Sequence, residues 1–147
     1  MSGSARHNFD ADAVARIFRE EATALATDLA EAFAGGEANG DVIGVVGVLQ
    51  KAGKSPPPSN PGDPPNWRTG TMARSWRTRV KSKGDPIVAV AGTNVKYAEW
   101  LENGTKRMLP RPFLGLAMDS IEPYVARRIA QAADVVKKRV GQIGGTL

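Results

Sequence analysis

The sequence predicts an α+β domain, in which an N-terminal helix and C-terminal helices pack on a small, mainly antiparallel β-sheet. Three observations support this prediction. Apolar residues recur at spacings of three and four toward both ends of the chain, as in amphipathic helices. Two short runs joined by a Gly-Asp-Pro turn predict a β-hairpin, and a proline-rich stretch predicts a long loop. With 147 residues and 41% hydrophobic composition, the chain is expected to form a single domain over 1–147.

The N-terminal part of the chain is predicted to contain one long helix and one strand. Asp10 is placed to cap the helix, its apolar residues follow helical spacing, and Gly35-Gly36 are expected to end it. Residues 1–9 are expected to form a flexible arm. The valine-rich run at residues 42–49 is short and β-branched, which favours a strand over a helix.

Residues 51–66 are the proline-rich stretch and hold six of the ten prolines of the chain. This composition can neither bury a core nor extend a ladder, so a projecting, extended loop is expected. Long loops within small domains usually have a use. This loop is interpreted as a docking element, and a plain linker is the alternative.

The middle of the chain is predicted to form a helical turn followed by the hairpin. Thr69 can cap the turn at residues 67–76, and the strands are expected at residues 77–82 and 87–92. Four cations alternate with other residues in the first strand, which places them on one side of the sheet, about 7 Å apart. These cations are Arg77, Arg79, Lys81 and Lys83.

The last third of the chain is predicted to be helical around one tight corner. Tyr97, Trp100 and Leu101 have helical spacing, and Gly104 is placed to end that short helix. Pro112 suits the first position of the next helix, where its missing N–H costs nothing. The corner between them carries three cations, which are Lys106, Arg107 and Arg111.

The final helical pattern runs toward Val140 and contains a proline. Pro123 is expected either to kink this helix or to lie in the first turn of a second helix capped by Ser120. The basic cluster at residues 137–139 is interpreted as complementing the dipole of the last turn. Residues 141–147 are expected to form a flexible tail.

The charge of the chain is unevenly distributed. The net charge is +5, but residues 1–66 hold 5 Lys/Arg against 9 Asp/Glu, whereas residues 67–147 hold 15 against 6. A basic half can attract nucleic acid or an acidic surface, and the acidic half suits head-to-tail packing of identical copies. A solvated surface is the alternative. The absence of cysteine excludes disulfides, and no apolar run approaches the length of a membrane span.

The sequence offers little catalytic chemistry. His7 is the sole histidine, which excludes a histidine triad and a histidine-based metal site. Glu99 and Glu102 could form an acid/base pair, but they are interpreted as partners of Arg107 or Arg111 in salt bridges. The Gly-Lys-Ser at residues 53–55 lacks the first glycine of a P-loop. A protein that is not an enzyme and has no cofactor or metal is therefore expected.

Several short motifs occur in a recognisable order. They are a proline- and glycine-rich loop, then Thr69-Gly70, Arg74-Ser75, Gly92-Thr93, Tyr97-Ala98, Glu102-Asn103-Gly104-Thr105 and Arg111-Pro112-Phe113-Leu114. This order resembles the small tail-completion or neck proteins of tailed bacteriophages, grouped around the gp10 protein of phage HK97. The resemblance covers roughly residues 55–117, while the flanking segments add only compatible helix patterns.

The resemblance implies a structural virion protein at the phage head–tail junction, assembled in the host bacterial cytoplasm. Its expected partners are other copies of itself in a ring of six, neighbouring connector, stopper, tail-terminator or tail-tube proteins, and the genomic DNA in the channel. No membrane or small-molecule partner is expected. The motif positions expected at subunit or partner interfaces are Trp67, Arg68, Thr69, Gly70, Tyr97, Trp100, Glu102, Gly104, Thr105, Arg111 and Phe113.

Two points stay open at this stage. Tyr97, Trp100 and Phe113 could belong to the core, whereas Arg68, Glu102 and Arg111 could form ion pairs between subunits. The cations of residues 77–83 could face DNA or an acidic partner, or they could protect an edge strand from unwanted pairing. The main alternative function is accordingly a DNA-binding accessory protein that uses this strand. An enzyme with an unrecognised site is the second alternative.

Overall fold

The computed structural model describes residues 10–35, 37–38, 42–54 and 56–144, and the fold is α+β as predicted. The elements in chain order are α1 (Ala11–Ala34), β1 (Glu37–Ala38), β2 (Val42–Ile43), α2 (Val45–Lys51), α3 (Thr71–Arg74), β3 (Arg77–Lys81), β4 (Val88–Gly92), α4 (Tyr97–Asn103) and α5 (Leu114–Gly144). Within the described residues, none of these helices is long and apolar enough to cross a membrane.

Helix α1 begins and ends as its sequence predicts. Asp10 Oδ1 accepts a hydrogen bond from the backbone N–H of Ala13 at 2.9 Å, and the N–H of Gly35 closes the last turn onto Glu31 O at 2.8 Å. Capping of this kind satisfies backbone groups that a helix end leaves unpaired. The predicted arm at residues 1–9 lies outside the described residues.

Helices α1 and α5 pack together through opposite charges. Arg128 Nε lies 2.6 Å from Asp28 Oδ2, and Arg139 reaches both Glu20 and Glu21 at 2.7 Å. The acids of the N-terminal half are therefore partly neutralised by arginines of the C-terminal half.

The valine-rich run is mostly helical, which corrects the predicted strand. Only Val42–Ile43 forms a strand, which pairs antiparallel with Glu37–Ala38, and the chain is helical over Val45–Lys51. Val48 and Leu49 follow Val45 at helical spacing, and all three are buried. Burial of one helical face outweighs the β-preference of valine, which measures fit to a half-buried sheet more than backbone preference.

The core lies where α2, α3, α4 and the start of α5 meet. Phe113, Val45 and Ala117 are at most 1% exposed. Trp76 lies between the rings of Phe33 and Phe113, with edge-to-face centroid distances of 6.4 Å to each. A second cluster joins α1, β2 and α5, and its buried members are Ala32, Val42, Ile121 and Tyr124.

The predicted hairpin is present and is fixed to α1. Strands β3 and β4 pair antiparallel, with Arg79 opposite Val90. The Arg19 guanidinium of α1 donates to the carbonyls of Ser82 and Gly84 at 3.2 and 3.1 Å and pairs with Asp85 at 3.1 Å. One side chain thus holds the turn of the hairpin against the helix.

Helix α5 is one continuous helix with Pro123 inside it, so no second helix starts there. Ser120 is not a cap, because its Oγ accepts a hydrogen bond from Ile43 N at 2.9 Å. The helix begins at Leu114, two residues after Pro112, and it extends to Gly144. The predicted tail is therefore wrong for residues 141–144, while residues 145–147 lie outside the described part.

The later end of α5 also changes the interpretation of its basic cluster. Residues 137–139 precede the last turn, so they do not complement the end of the helix dipole. Arg139 instead pairs with α1, and Lys137 lies 3.9 Å from Asp134. Arg139 therefore links α5 to α1, and Lys137 links neighbouring turns of α5.

Candidate functional site

A cleft of about 720 Å³ opens between the proline-rich loop, the segment around α3, and α4. We call it the motif cleft, because many of its lining residues belong to the motifs identified in the sequence. Its lining residues are Leu49, Pro58, Ser59, Pro65, Asn66, Trp67, Arg68, Thr69, Gly70, Thr71, Met72, Ala73, Tyr97, Leu101, Met108 and Arg111. The lining is mainly apolar, as is usual for binding clefts.

The proline-rich loop forms one wall of this cleft. Its two ends are joined where the N–H of Trp67 donates to Gly53 O at 2.8 Å. Further along, Gly62 N donates to Pro110 O at 2.9 Å, and Arg111 Nε donates to Ser59 O at 3.1 Å. The loop therefore folds back onto the corner before α5, whereas the sequence led us to expect a projecting loop.

The Thr69-Gly70 pair builds the second wall. Gly70 is the residue before α3 and has a left-handed backbone, with φ +71°. A Cβ on Gly70 would come within 2.4 Å of the Trp67 ring, so glycine allows this ring to pack against the backbone. The predicted cap Thr69 lies one residue before the observed N-cap, Gly70, although its Oγ1 still accepts from Thr71 N at 3.4 Å.

Two further motif pairs meet behind this wall. The hydroxyl of Ser75 hydrogen-bonds to the hydroxyl of Thr93, and Ser75 Oγ also donates to Met72 O at 2.7 Å. This contact joins the end of α3 to the residue after β4. The motifs Arg74-Ser75 and Gly92-Thr93 therefore position the cleft wall relative to the hairpin.

The three aromatic motif residues of the corner have different environments. Phe113 is 1% exposed and belongs to the core, whereas Tyr97 is 41% and Trp100 is 54% exposed. Ala98 is buried and attaches α4 to the core in their place. Tyr97 lines the motif cleft, and Trp100 is an exposed aromatic on the same helix. Of the three residues that could have belonged to the core, only Phe113 does so.

Glu102 has an intramolecular role that the sequence analysis missed. Its Oε2 accepts from the N–H groups of Phe113 at 2.8 Å and Leu114 at 3.1 Å, at the start of α5. A carboxylate at this position satisfies free N–H groups and complements the helix dipole. Within the described residues Glu102 is not paired with Arg107 or Arg111, and a salt bridge between these residues across a subunit interface stays a prediction.

Gly104 and Thr105 form the corner between α4 and α5. Gly104 ends α4 with φ +75°, and a Cβ there would lie 2.8 Å from Met108 O. Thr105 N donates to Met108 O at 2.8 Å, and its Oγ1 accepts from Arg107 N at 3.2 Å. These two motif positions build the backbone of the corner, which presents exposed Lys106 and Arg107.

The four cations of the hairpin do not form one equivalent set. The guanidinium of Arg77 donates to the carbonyls of Arg74 and Trp76 at 2.7 and 2.8 Å. By contrast, Arg79, Lys81 and Lys83 are exposed and have no ion-pair or hydrogen-bond partner within the described residues. By the strand register, Arg79 and Lys81 lie beside the exposed Val90 and Val88.

The titratable groups with clear pKa shifts lie outside the cleft. Burial raises the pKa of Tyr124, and the hydrogen bond that it donates to Asp28 raises it further. The hydrogen bond to Asp28 also raises the pKa of Arg128. These shifts arise from the structural contact between α1 and α5. Over the described ranges, no acidic or histidine cluster could hold a metal ion.

The motif cleft thus offers apolar and aromatic walls with arginines among its lining residues. Such a surface can bind an apolar side chain beside an anionic group. A family model described as "Bacteriophage HK97-gp10, putative tail-component" matches residues 10–104 of the chain. The chain belongs to the HK97 gp10-like family. No curated protein and no solved structure was found to match it.

The match extends the resemblance in one direction and limits it in the other. It begins at Asp10 and includes α1 and α2, which the motif comparison treated as merely compatible. It ends at Gly104, before the Arg-Pro-Phe-Leu run. Most of the motif cleft lies within the matched segment, including Trp67, Gly70 and Tyr97. This phage protein is therefore a structural tail component by family.

Sequence reasoning missed several apolar residues of the cleft. Leu49 was assigned to a strand, although its spacing from Val45 was a helical signal. Met72 lies in the predicted helical turn at residues 67–76, but nothing local showed which surface it would line. Met108 lies in the corner and has no periodic pattern that would have identified it.

Proposed function

We propose that this HK97 gp10-like protein acts at the junction between phage head and tail, as a closed ring of identical copies around the DNA channel. The ring would contain six copies, in keeping with tail symmetry, and would bind the adjoining connector, stopper, tail-terminator or tail-tube ring through the motif cleft. Its role is assembly without catalysis. It would be made in the host cytoplasm and retained in the virion.

The observation that carries this proposal is the convergence of motif residues on one apolar cleft. Trp67, Tyr97 and Arg111 come from three separate segments and line the same cavity. Aromatic and arginine residues are enriched among the residues that dominate protein interfaces. A cleft of about 720 Å³ is large enough to receive several side chains of a partner.

The arginines of the cleft favour a partner segment that is both apolar and acidic. Arg111 Nε donates a hydrogen bond to Ser59 O, and the two terminal nitrogens of Arg111 have no partner within the described residues. Arg68 is exposed. A carboxylate can accept two hydrogen bonds from one guanidinium, which adds direction to the attraction. The proposed docking segment therefore places an apolar anchor in the cleft and an Asp or Glu beside Arg68 or Arg111.

The position in the virion can be tested directly. Virions of the phage that encodes this chain would be labelled with antibodies against it and examined by electron microscopy. Label confined to the head–tail junction is expected. Label along the tail tube or at the tail tip would overturn the proposed position while leaving the tail-component assignment intact.

The ring can be tested with the purified protein. Light scattering behind a sizing column gives the mass at low and moderate salt, with and without short duplex DNA. A discrete oligomer that survives moderate salt is expected, because apolar burial is insensitive to screening. A monomer under all conditions would contradict a ring that closes by itself.

The hairpin cations favour DNA binding as a second candidate function. Three exposed cations that contact phosphates would give an affinity that falls about 40-fold between 50 and 200 mM salt. Fluorescence anisotropy with duplex DNA measures this slope. The combined Arg79→Ala, Lys81→Ala and Lys83→Ala variant should lose the salt-dependent binding. If the DNA affinity is unchanged in this variant, DNA binding by the hairpin cations is ruled out as a function.

A further inference from the structure

One edge of strand β4 has no strand partner among the residues that the structure describes. Its sequence, Val88-Ala89-Val90-Ala91-Gly92, has no charge and no proline. Among the described residues, β3 is its sole ladder partner, so the opposite edge presents unpaired N–H and C=O groups. Proteins usually protect such edges with charges, prolines, bulges or a covering element. Strand β3 carries Arg77, Arg79 and Lys81, whereas β4 has no comparable protection.

The hairpin is held in place with this edge accessible. Helix α1 packs against both strands, and Arg19 fixes the turn between them. Val88 and Val90 remain 41% and 56% exposed on the face that also carries Arg79 and Lys81. A two-stranded sheet gains stability from a further strand. Because the ribbon is already ordered on α1, adding that strand costs little conformational entropy.

Charge indicates which strand can be added when the partner is a second copy. Pairing β3 with β3 of another copy would bring two cationic strands to about 4.8 Å and place like charges opposite each other. Pairing β4 with β3 of another copy separates the cationic strands by an uncharged one, at about 9.6 Å. In the register of the existing hairpin, it also places arginine beside valine, as in the Arg79–Val90 pair.

We infer that the open edge of β4 binds strand β3 of a second copy, so that hairpins of successive copies form one continuous antiparallel sheet. This contact is head-to-tail, and a rotation that closes such contacts gives a ring. The inference rests on the proposed ring and identifies the surface that would build it. Pairing of β4 with β4 would instead give a closed two-fold dimer.

Disulfide trapping tests this arrangement, because the chain has no cysteine of its own. A Val90→Cys chain and an Arg79→Cys chain are prepared separately, mixed before assembly and oxidised. Partners on adjacent strands lie within reach of a disulfide. A cross-linked pair on a non-reducing gel is expected in the mixture, and each variant alone should stay uncross-linked. Lys81→Cys with Val88→Cys tests the neighbouring position of the same register.

The matched control is Val135→Cys, since Val135 on α5 is 39% exposed, close to Val88. Mixed with Arg79→Cys, it should give no cross-link. Cross-linking of Val90→Cys alone would show β4–β4 pairing and overturn the inference, as would cross-linking of Arg79→Cys alone.

Light scattering of the same samples separates this inference from the proposed ring. A closed oligomer without the mixed cross-link would overturn the β4–β3 contact and leave the ring standing. The mixed cross-link in chains that grow without closing would support the contact and contradict the ring. A monomer without cross-links would overturn both.

Discussion

The contact between α1 and α5 and the region formed by the motif cleft and hairpin show two ways of using the same residue types. Between the helices, Arg128 and Arg139 each have carboxylate partners within 2.7 Å. Around the hairpin, Arg79 and Lys81 have no partners among the described residues, and valines lie exposed beside them. The first region is complete within one chain. The second has unused binding capacity, which is typical of a surface that contacts other molecules.

The largest predicted effect on the free energy of unfolding distinguishes a core aromatic residue from an exposed one. Phe113→Ala should lower the free energy of unfolding by about 3–5 kcal/mol, because it empties the space beside Trp76. Trp100→Ala removes a larger side chain that is 54% exposed, and it should cost less than about 1 kcal/mol. Urea denaturation measures both. Equal losses would contradict the assignment of Trp100 to the surface.

The next effect concerns the cap of α5. Glu102→Ala should destabilise the protein by about 1–2 kcal/mol, since two N–H groups at the start of α5 lose their acceptor. Glu99→Ala, three residues earlier on the same helix and exposed, is the matched control and should change stability by less than about 0.5 kcal/mol. Thermal denaturation followed by circular dichroism distinguishes them. If Glu102→Ala leaves the stability unchanged, solvent must replace the carboxylate as the acceptor for these N–H groups.

A smaller effect should appear as a dependence of the stability on pH in the alkaline range. The pKa of Tyr124 is raised above 10.0 in the folded chain by burial and by Asp28. Its contribution to stability is therefore fully present below the unfolded pKa and is lost as pH rises through the folded value. Tyr124→Phe should cost about 1 kcal/mol at neutral pH and flatten the stability curve above pH 10.

The smallest stability effect is paired with a functional one. Arg68→Ala should change the free energy of unfolding by less than about 0.5 kcal/mol, because Arg68 is exposed. It should nevertheless reduce the fraction of phage heads joined to tails, counted by electron microscopy. Arg127→Ala, an exposed arginine on α5, is the control and should leave joining unchanged. Normal joining in the Arg68 variant would argue against docking at the motif cleft.

The parts of the fold that could be predicted are those with local signals. Asp10 and Gly35 identified α1, a turn between alternating runs identified the hairpin, and Gly104 marked the end of α4. Helix α2 was missed because residue preference favoured a strand, while burial of its helical face decided the outcome. The role of Glu102 was missed because this acceptor lies eleven residues before its donor, Phe113 N, and meets it only after the corner has folded.

The candidate site was predicted in part for the same reason. Motif order placed Trp67, Gly70, Tyr97 and Arg111 in one group, and the fold brings them to one cleft. The same reasoning could not separate cleft residues from Phe113 in the core or Gly104 in the corner. The motifs identified the residues as one group, whereas burial and hydrogen bonding decide whether each residue lies in the cleft, the core or the corner.

The attachment of the hairpin turn by Arg19 has a mechanical consequence. A pull on the hairpin would load the Arg19 guanidinium, then α1, and then the contacts of Asp28 and Glu20 with α5. Each of these contacts is ionic or charge-assisted, and the side chains remain partly exposed to solvent. Salt should therefore weaken this polar part of the attachment, whereas the apolar cluster that also joins α1 to α5 is insensitive to screening.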